Sequence, residues 1–535
     1  MTYEPENHVQ SVLIGDLKLP TAAAAAAQVD PDERVPMLVE LNVLYPGGLA
    51  AVQDAFYGLW EHYSARAGGD WSNQPLSASP VQPPGLDHVD NLVLVAPKLY
   101  QCVLSRAVVQ EMVAEDHLSA RQSGRPPIIF RVWPDYEIYP QIDRSALTVK
   151  ADAAWRAYEA RGHRIVWAVI DSGIDACHPH FSDLELSGER RPGVAPAGLT
   201  SLLHRDFSYL VRPDQPAPQP GPVPAVIGQA LSDESGHGTH VAGIIAGCSP
   251  ANLTPKVADS KEPVDGGFVQ RAHAGILSGM APACELVSLK VMRRSGQGVW
   301  ITSSSAVIAA LTYLRTEVNV DPAVLRVHGV NMSLGCQWQP DQYAAGQSPL
   351  CQAVNQLVAS GVVVVVSAGN YGASTTRGDS ANTAAILGSV TEPAHAQDCI
   401  AVGSTHRDAP HAFGIAWTSG KGPTLDGRMK PDVVAPGEWI ASAATGEVRA
   451  AAGLDPAAGA TDPASLLTYA EQSGTSMAAP HVSGVIAAFL SSRPEFIGCP
   501  QEVKDMLRRS ATDLGRERFA QGAGLIDLMR MLANA

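Results

Sequence analysis

The sequence predicts an α/β chain preceded by a small α+β domain, on three observations. The 535 residues are 45% hydrophobic and only 17% charged, against roughly 25% charged in an average globular domain, so apolar material for a large core is present. Residues 37–140 run through strand-like and helix-like patterns in the order strand, helix, strand, strand, helix, strand. From residue 165 onward, apolar strand-like runs end abruptly in a polar residue beside glycine, and small-residue helices follow.

The elements of the first part are read in order. Residues 1–34 show no sustained period and are taken as a flexible leader. Residues 37–44 (MLVELNVL) form a strand. After Pro46-Gly47-Gly48, residues 49–63 place Leu49, Val52, Phe56, Leu59 and Trp60 at helical spacing. Residues 92–95 and 99–104 are strands, and residues 106–115 (RAVVQEMVAE) a helix. Residues 128–139, rich in β-branched and aromatic side chains, are a last strand stopped by Pro140. This is the element order of a ferredoxin-like domain, assigned to residues 35–142.

Charge narrows the function. Asp plus Glu number 53 against 38 Lys plus Arg, a formal net charge of −15. No basic field exists to hold phosphates, so nucleic acid and anionic membrane are excluded as partners. The start, MTYEPENHVQ, is acidic and leads into no signal-peptide core, and residues 22–27 are only a run of Ala. The strongest apolar run, residues 362–366, falls far short of the roughly 18 residues a membrane helix needs. The chain is expected in the cytoplasm, with export by a non-standard route left open. Cys102, Cys177, Cys248, Cys284, Cys336, Cys351, Cys399 and Cys499 form no CxxC pair, and reduced core thiols are expected.

Three later segments carry chemistry. In residues 165–175 (IVWAVIDSGID) an apolar strand delivers Asp171 at its carboxyl end, where α/β proteins keep their sites. In residues 235–247 (SGHGTHVAGIIAG) His237 stands between two glycines that leave its ring unshielded, while His240 falls inside the following helix and reads as structural. In residues 472–484 (QSGTSMAAPHVSG) Ser476 follows Gly474-Thr475 at the start of a helix, whose N-terminus favours negative charge on its hydroxyl oxygen.

Asp, His and Ser in this chain order is the arrangement of subtilisin, unlike that of chymotrypsin or the α/β-hydrolases. With these three segments, GMAPACELVSLKVM (279–292), VNMSLG (330–335), VVVVVSAGN (362–370), KPDVVAPG (430–437) and GAGLIDL (522–528) closely resemble the subtilisin-like serine proteases, over roughly residues 150–530. The resemblance implies a subtilisin-like parallel sheet flanked by helices in residues 150–535. It implies that Ser476 is the nucleophile, His237 its general base and Asp171 the group that orients His237. Asn370 matches the side-chain donor of the oxyanion hole. Ser295, Gly296, Gln297 and Gly298, with Ser333, Leu334 and Gly335, match segments that pair with an extended peptide substrate. Ala368 and Gly369 match the wall of the primary specificity pocket, suited to a medium or large apolar side chain. Protein or peptide substrates follow, and the N-terminal domain becomes a propeptide-like intramolecular inhibitor, with self-cleavage expected in residues 141–150. A latent protease released by a partner, and a catalytically silent peptide-binding scaffold, are the alternatives. No cofactor is required. Calcium is common in the family but has no assignable ligands here.

The chain departs from the family pattern by insertions near residues 183–231, 249–277 and 441–465. The first contains PDQPAPQPGPVP (213–224), and the last is rich in Ala, Gly and Pro. Other signals are set aside. Trp133-Pro134-Asp135 is similar to the acid loop of tyrosine phosphatases, but no Cys is followed six positions later by Arg. Gly420-Lys421 is preceded by Ile415 where a P-loop needs Gly. His178 and His180 lack a third metal ligand, Cys177 reads as a structural thiol, and Asp321 and Asp341 as solvated loop charges. No metal site is predicted.

Overall fold

The computed structural model describes residues 12–13, 34–63, 92–134, 137–140, 148–184, 186, 202–211, 223–260, 267–273, 275–321, 324–337, 343–375, 383–457 and 462–535. Nearly all of the predicted leader, most of the expected self-cleavage segment and nearly all of the Pro-rich run lie outside these residues.

The N-terminal elements are β1 (Arg34–Leu41), α1 (Gly48–Tyr63), β2 (Leu92–Ala96), β3 (Leu99–Ser105), α2 (Arg106–Ser123) and β4 (Ile129–Pro134). The four strands form one antiparallel sheet in the order β2-β3-β1-β4, the ferredoxin-like arrangement. The period-2 geometry of a strand divides β1 between two cores. Met37, Val39 and Leu41 face α1 and α2, where Val52, Phe56, Trp60, Val109 and Met112 are buried. Leu38 faces the other way, and with Val93, Val95, Leu99 and Trp133 it joins the core of the following region. α2 is bounded as its sequence dictates: Ser105 Oγ accepts the Val108 N–H, and Gly124 closes the helix at φ 66.

The predicted strand over residues 128–139 is in fact two. β4 ends at Pro134, which has no N–H to continue a ladder. β5 (Glu137–Pro140) leaves this sheet and pairs antiparallel with Trp300–Ser303 on one side and Leu334–Gly335 on the other.

The main sheet has seven strands, β6 (Val166–Asp171), β7 (Arg205–Asp206), β8 (Glu285–Lys290), β9 (Gly329–Met332), β10 (Val363–Ser367), β11 (Ile400–His406) and β12 (Val433–Glu438). Their order is β12-β11-β10-β9-β6-β8-β7, with every neighbouring pair parallel. Helices cover both faces, so β6, β9 and β10 are buried at every position and read as continuous apolar runs. On one face α3 (His237–Ile245) and α6 (Thr475–Ser492) share a core with Trp167, Val169, Val363 and Val365. On the other, α4 (Ser304–Tyr313) and α5 (Pro349–Ala359) pack on Ala168, Ile170, Val330 and Val364. β6 has β8 on one flank and β9 on the other, so the winding reverses there. The carboxyl end of β6 is the switch point at which open α/β sheets bind ligands.

The segments predicted as insertions hold regular structure. Residues 183–231 supply β7. Residues 249–277 supply two strands of a four-stranded sheet and the stretch around 441–465 is flanked by the other two, Ile440–Ala443, Thr468–Gln472, Lys256–Ser260 and Phe268–Ala272 in spatial order. Its own small core is Ala258, Ala444, Ala452, Leu454 and Ala470, with Phe268 and Val448 against it. Alanine-rich composition reads as loop along the chain, yet alanine suffices where two such segments pack closely on each other.

Candidate active site

β6 delivers Asp171 to the switch point. Its Oδ1 accepts the Ser172 N–H at 2.7 Å and meets His237 Nδ1, also at 2.7 Å. Both side chains are buried, and Asp171 Oδ2 has no hydrogen-bond partner among the described residues. A carboxylate only accepts, so Nδ1 donates and the lone pair of the neutral ring lies on Nε2. The approach depends on Gly238: a Cβ there would stand 2.2 Å from Gly173 O and 3.1 Å from Asp171 Cβ.

His237 is held from below by Asp233, a residue the motif reading passed over. Asp233 Oδ1 accepts from Ser172 Oγ and the Gly236 N–H, and Oδ2 from the Thr239 N–H and Oγ1, all within 2.7–2.9 Å. These donors satisfy the first turn of α3 and tie it to the end of β6. Burial pushes the Asp233 carboxyl above its usual range, against the opposing pull of these hydrogen bonds. Its spacing from the helix is not that of an ordinary N-cap, so no sequence signal exposed it.

Ser476 is the second residue of α6, which packs on α3 in the same core, each helix carrying its candidate near the N-terminal end. Pro480 lies inside α6, four residues on, and cannot donate to the Ser476 carbonyl. Ser333 Oγ donates to that carbonyl instead, at 2.6 Å, while Ser476 Oγ donates to Ser333 O at 3.1 Å. Asn331 Nδ2 donates to Ser333 Oγ at 2.9 Å, and Ser483 Oγ donates to Asn331 Oδ1 at 2.9 Å. The chain from α6 through Asn331 and back to Ser476 thus fixes the start of the helix. Neither Asn331 nor Pro480 had been singled out from the sequence for a role.

Asn370 follows β10. The Thr475 N–H and Oγ1 donate to its Oδ1 at 2.9 and 3.2 Å. A backbone N–H can only donate, so the amide oxygen faces Thr475 and Nδ2 is turned away. Thr475 Oγ1 also accepts the Gly369 N–H at 3.1 Å. Ala368 is buried and accepts the Thr391 N–H at 3.0 Å. Beside this segment lies a cleft of about 290 Å³ lined by Gln337, Tyr371, Ser389, Val390 and Thr391 among others. Ala368 and Gly369 stand behind that lining, and Thr391, also unforeseen, forms part of it.

The peptide-pairing segments separate. Leu334 and Gly335 pair with Pro140 and Tyr139 of β5. Ser295, Gly296, Gln297 and Gly298 instead close a hairpin, with the Ser295 N–H on Val299 O at 2.7 Å and the Gly298 N–H on Ser295 O at 2.9 Å. The arm that pairs is the next one, where Thr302 and Ser303 meet Ile138 and Glu137.

Three further histidines of the motif segments are held by structural contacts. His178 Nε2 contacts Thr468 O at 3.0 Å, and His180 contacts Tyr469 Oη and the carbonyls of Gly243 and Ala246. His240 Nε2 contacts Ile440 O and Ala470 O. Burial lowers the three to about 4, 3 and 3 respectively, so each is neutral near pH 7. Among the described residues no group of three or more His, Cys, Asp or Glu side chains is placed to hold a metal ion. No helix of the described residues is long and apolar enough to cross a membrane.

A buried Asp–His pair stands at the switch point of the parallel sheet, and Ser476 opens a neighbouring helix in the same core. The chain is a member of the subtilase family, whose model matches residues 162–524. It is 32% identical over 297 residues to Subtilisin DY of Bacillus licheniformis, covering 56% of this chain and 77% of that protein. It is 29% identical over 297 residues to Alkaline elastase YaB of Bacillus sp. (strain YaB), covering 56% and 55%. Over 367 residues it is 29% identical to Subtilisin E of Bacillus subtilis (strain 168), covering 69% and 65%. The chain thus spans about half the length of some of these relatives and up to about three quarters of others.

Proposed function

We propose that this chain is a serine endopeptidase working through Asp171, His237 and Ser476 and an acyl-enzyme intermediate, restrained as a zymogen by its N-terminal domain. The observation that carries the reading is the 2.7 Å contact of His237 Nδ1 with Asp171 Oδ1. It leaves Nε2 as the base. Ser476 Oγ attacks the scissile carbonyl as its proton passes to His237 Nε2, and Asp171 stabilises the imidazolium. His237 then gives that proton to the leaving amine. In the second half, water attacks the acyl-enzyme while His237 takes its proton and returns one to Ser476 Oγ. Asn370 Nδ2 and the Ser476 N–H are the oxyanion donors, in keeping with the amide orientation that Thr475 imposes.

Restraint is supported by β5, which occupies the edge between Trp300–Ser303 and Leu334–Gly335 as an added strand. A substrate needing that edge is shut out while β5 holds it. A second reading, release by a partner rather than by self-cleavage, is favoured by how firmly the N-terminal sheet is docked. Gln101, fully buried, donates to Leu210 O at 3.0 Å and Ser305 Oγ at 2.7 Å, and the Trp133 and Tyr343 rings meet at 5.5 Å. Eight cysteines without a disulfide among the described residues fit a reducing compartment such as the cytoplasm.

Intact mass and N-terminal sequencing of wild type beside Ser476→Ala, after incubation at neutral pH, test the reading. Loss of the N-terminal domain in wild type alone, with a new terminus within residues 141–150, is the expected result. If both stay whole, labelling of Ser476 by a fluorophosphonate decides between partner release and an inert scaffold.

A further inference from the structure

Glu447 lies where the catalytic loop meets the peptide-pairing hairpin, and no motif includes it. It belongs to the helix Gly446–Ala451 in the inserted segment 441–465. Its N–H donates to Glu234 O at 2.9 Å, and the next N–H, of Val448, to Ser235 O at 3.1 Å. Those carbonyls belong to the loop that runs into His237. Thr445 Oγ1 donates to Asp175 Oδ2, in the loop that follows β6, at 2.7 Å. Gly236 has φ +88, and a Cβ there would stand 2.1 Å from Thr445 O, so glycine alone lets the two backbones meet.

On its other side the Glu447 carboxylate takes two donors from the hairpin. Trp300 Nε1 donates to Oε2 at 3.0 Å, and Arg294 Nη2 lies 3.3 Å from Oε1. Arg294 and Trp300 face each other across the hairpin, and Trp300 opens the strand whose Thr302 and Ser303 pair with β5. One residue therefore holds the His237 loop by its main chain and the pairing strand by its side chain.

We propose that Glu447 is a positioning residue that sets the peptide-pairing strand relative to His237 and thereby governs use of extended peptide substrates. This rests on the endopeptidase reading above. A peptide hydrogen-bonded to the Trp300–Ser303 arm moves with it, so a tilt of the arm carries the scissile carbonyl away from Ser476. A substrate too short to reach the arm is indifferent to it. The Arg294 pair, exposed at both ends, contributes little by itself. The bond from the Trp300 indole reaches the same half-exposed carboxylate and adds a directional, charge-assisted contact.

The test compares full-chain wild type, Glu447→Ala and Glu447→Gln, each incubated at neutral pH to constant fluorophosphonate labelling and normalised to labelled Ser476. The substrates are a tetrapeptide anilide, which reaches the arm, and p-nitrophenyl acetate, which does not. Glu447→Ala is expected to lose about tenfold in kcat/KM on the anilide, mostly through KM, with acetate turnover unchanged. Glu447→Gln still offers a carbonyl to Trp300 and recovers most of the loss. An equal fall on both substrates, or no fall on the anilide, overturns the proposal. A wild type that never labels overturns the endopeptidase reading beneath it, a result distinct from a labelled wild type with an indifferent variant.

Discussion

Ser333 and Ser476 bond to each other twice: Ser333 Oγ donates to Ser476 O at 2.6 Å, and Ser476 Oγ donates to Ser333 O at 3.1 Å. The first bond exists because Pro480 withholds the helical N–H that the Ser476 carbonyl would otherwise receive. Ser333→Ala leaves that carbonyl buried and unpaired, at a cost of about 1–3 kcal/mol. Adding Pro480→Ala restores a helical donor, so the double variant is expected to melt above Ser333→Ala alone. Strictly additive losses in a double-mutant cycle, read by thermal denaturation, would show that the two residues do not share this carbonyl.

Asp171→Asn keeps the shape of the pair but lets the amide donate toward His237, favouring the wrong tautomer. kcat is expected to fall by roughly 10⁴, with KM little changed. Steady-state kinetics on a peptide anilide give the split, and an activity within tenfold of wild type contradicts the role assigned to Asp171.

Asn370→Ala removes the proposed oxyanion donor and is expected to cost about 10²–10³ in kcat, a magnitude carried over from subtilisin itself. Thr475→Val removes the hydroxyl on Asn370 Oδ1 but keeps the main-chain bond, so its loss is expected to be smaller. The reverse ranking in kcat tells against the proposed orientation of the amide.

Asp233→Asn replaces an acceptor of four donors by a group that must turn its own N–H₂ toward two of them. Melting temperature and kcat are expected to fall together, since the same carboxylate secures α3 and places His237. A variant with native stability and native kcat shows that α3 needs no such anchor.

Acid is expected to destabilise the protein through His178, His180 and His240. Their folded values lie below the ordinary 6.5 because burial penalises the cation. The unfolded chain therefore binds the extra protons, and stability present near pH 7 is lost as pH falls from about 6.5 to about 4 for His178 and to about 3 for His180 and His240. The slope is about 1.4 kcal/mol per pH unit for each histidine in that window. Denaturant melts at pH 7, 6 and 5 measure it. His178→Gln should flatten the slope, and an unchanged slope assigns the acid lability elsewhere.

Much of the fold is legible along the chain because local periodicity and partner geometry agree. Val52, Phe56 and Trp60 recur at helical spacing and are all buried on one face of α1. The runs in β6 and β10 are continuously apolar because helices cover both faces of a parallel sheet. Where the two disagree, the reading fails. The strand expected over 128–139 breaks because its two halves serve different sheets, and the segments read as loops at 249–277 and 441–465 fold because each is the other's partner.

The sequence by itself determined which residue types stand at strand ends and helix starts, Asp171, His237, Asn370 and Ser476 among them, since small flanking residues and abrupt ends of apolar runs are local properties. Only the tertiary structure decided what holds them. Asp233 reaches Thr239 and Ser172, Ser333 reaches Ser476, and Glu447 reaches Trp300 across 147 residues of chain. A hydrogen bond needs its two atoms within about 3 Å, and separation along the chain carries no information about which distant groups the sheet order brings that close.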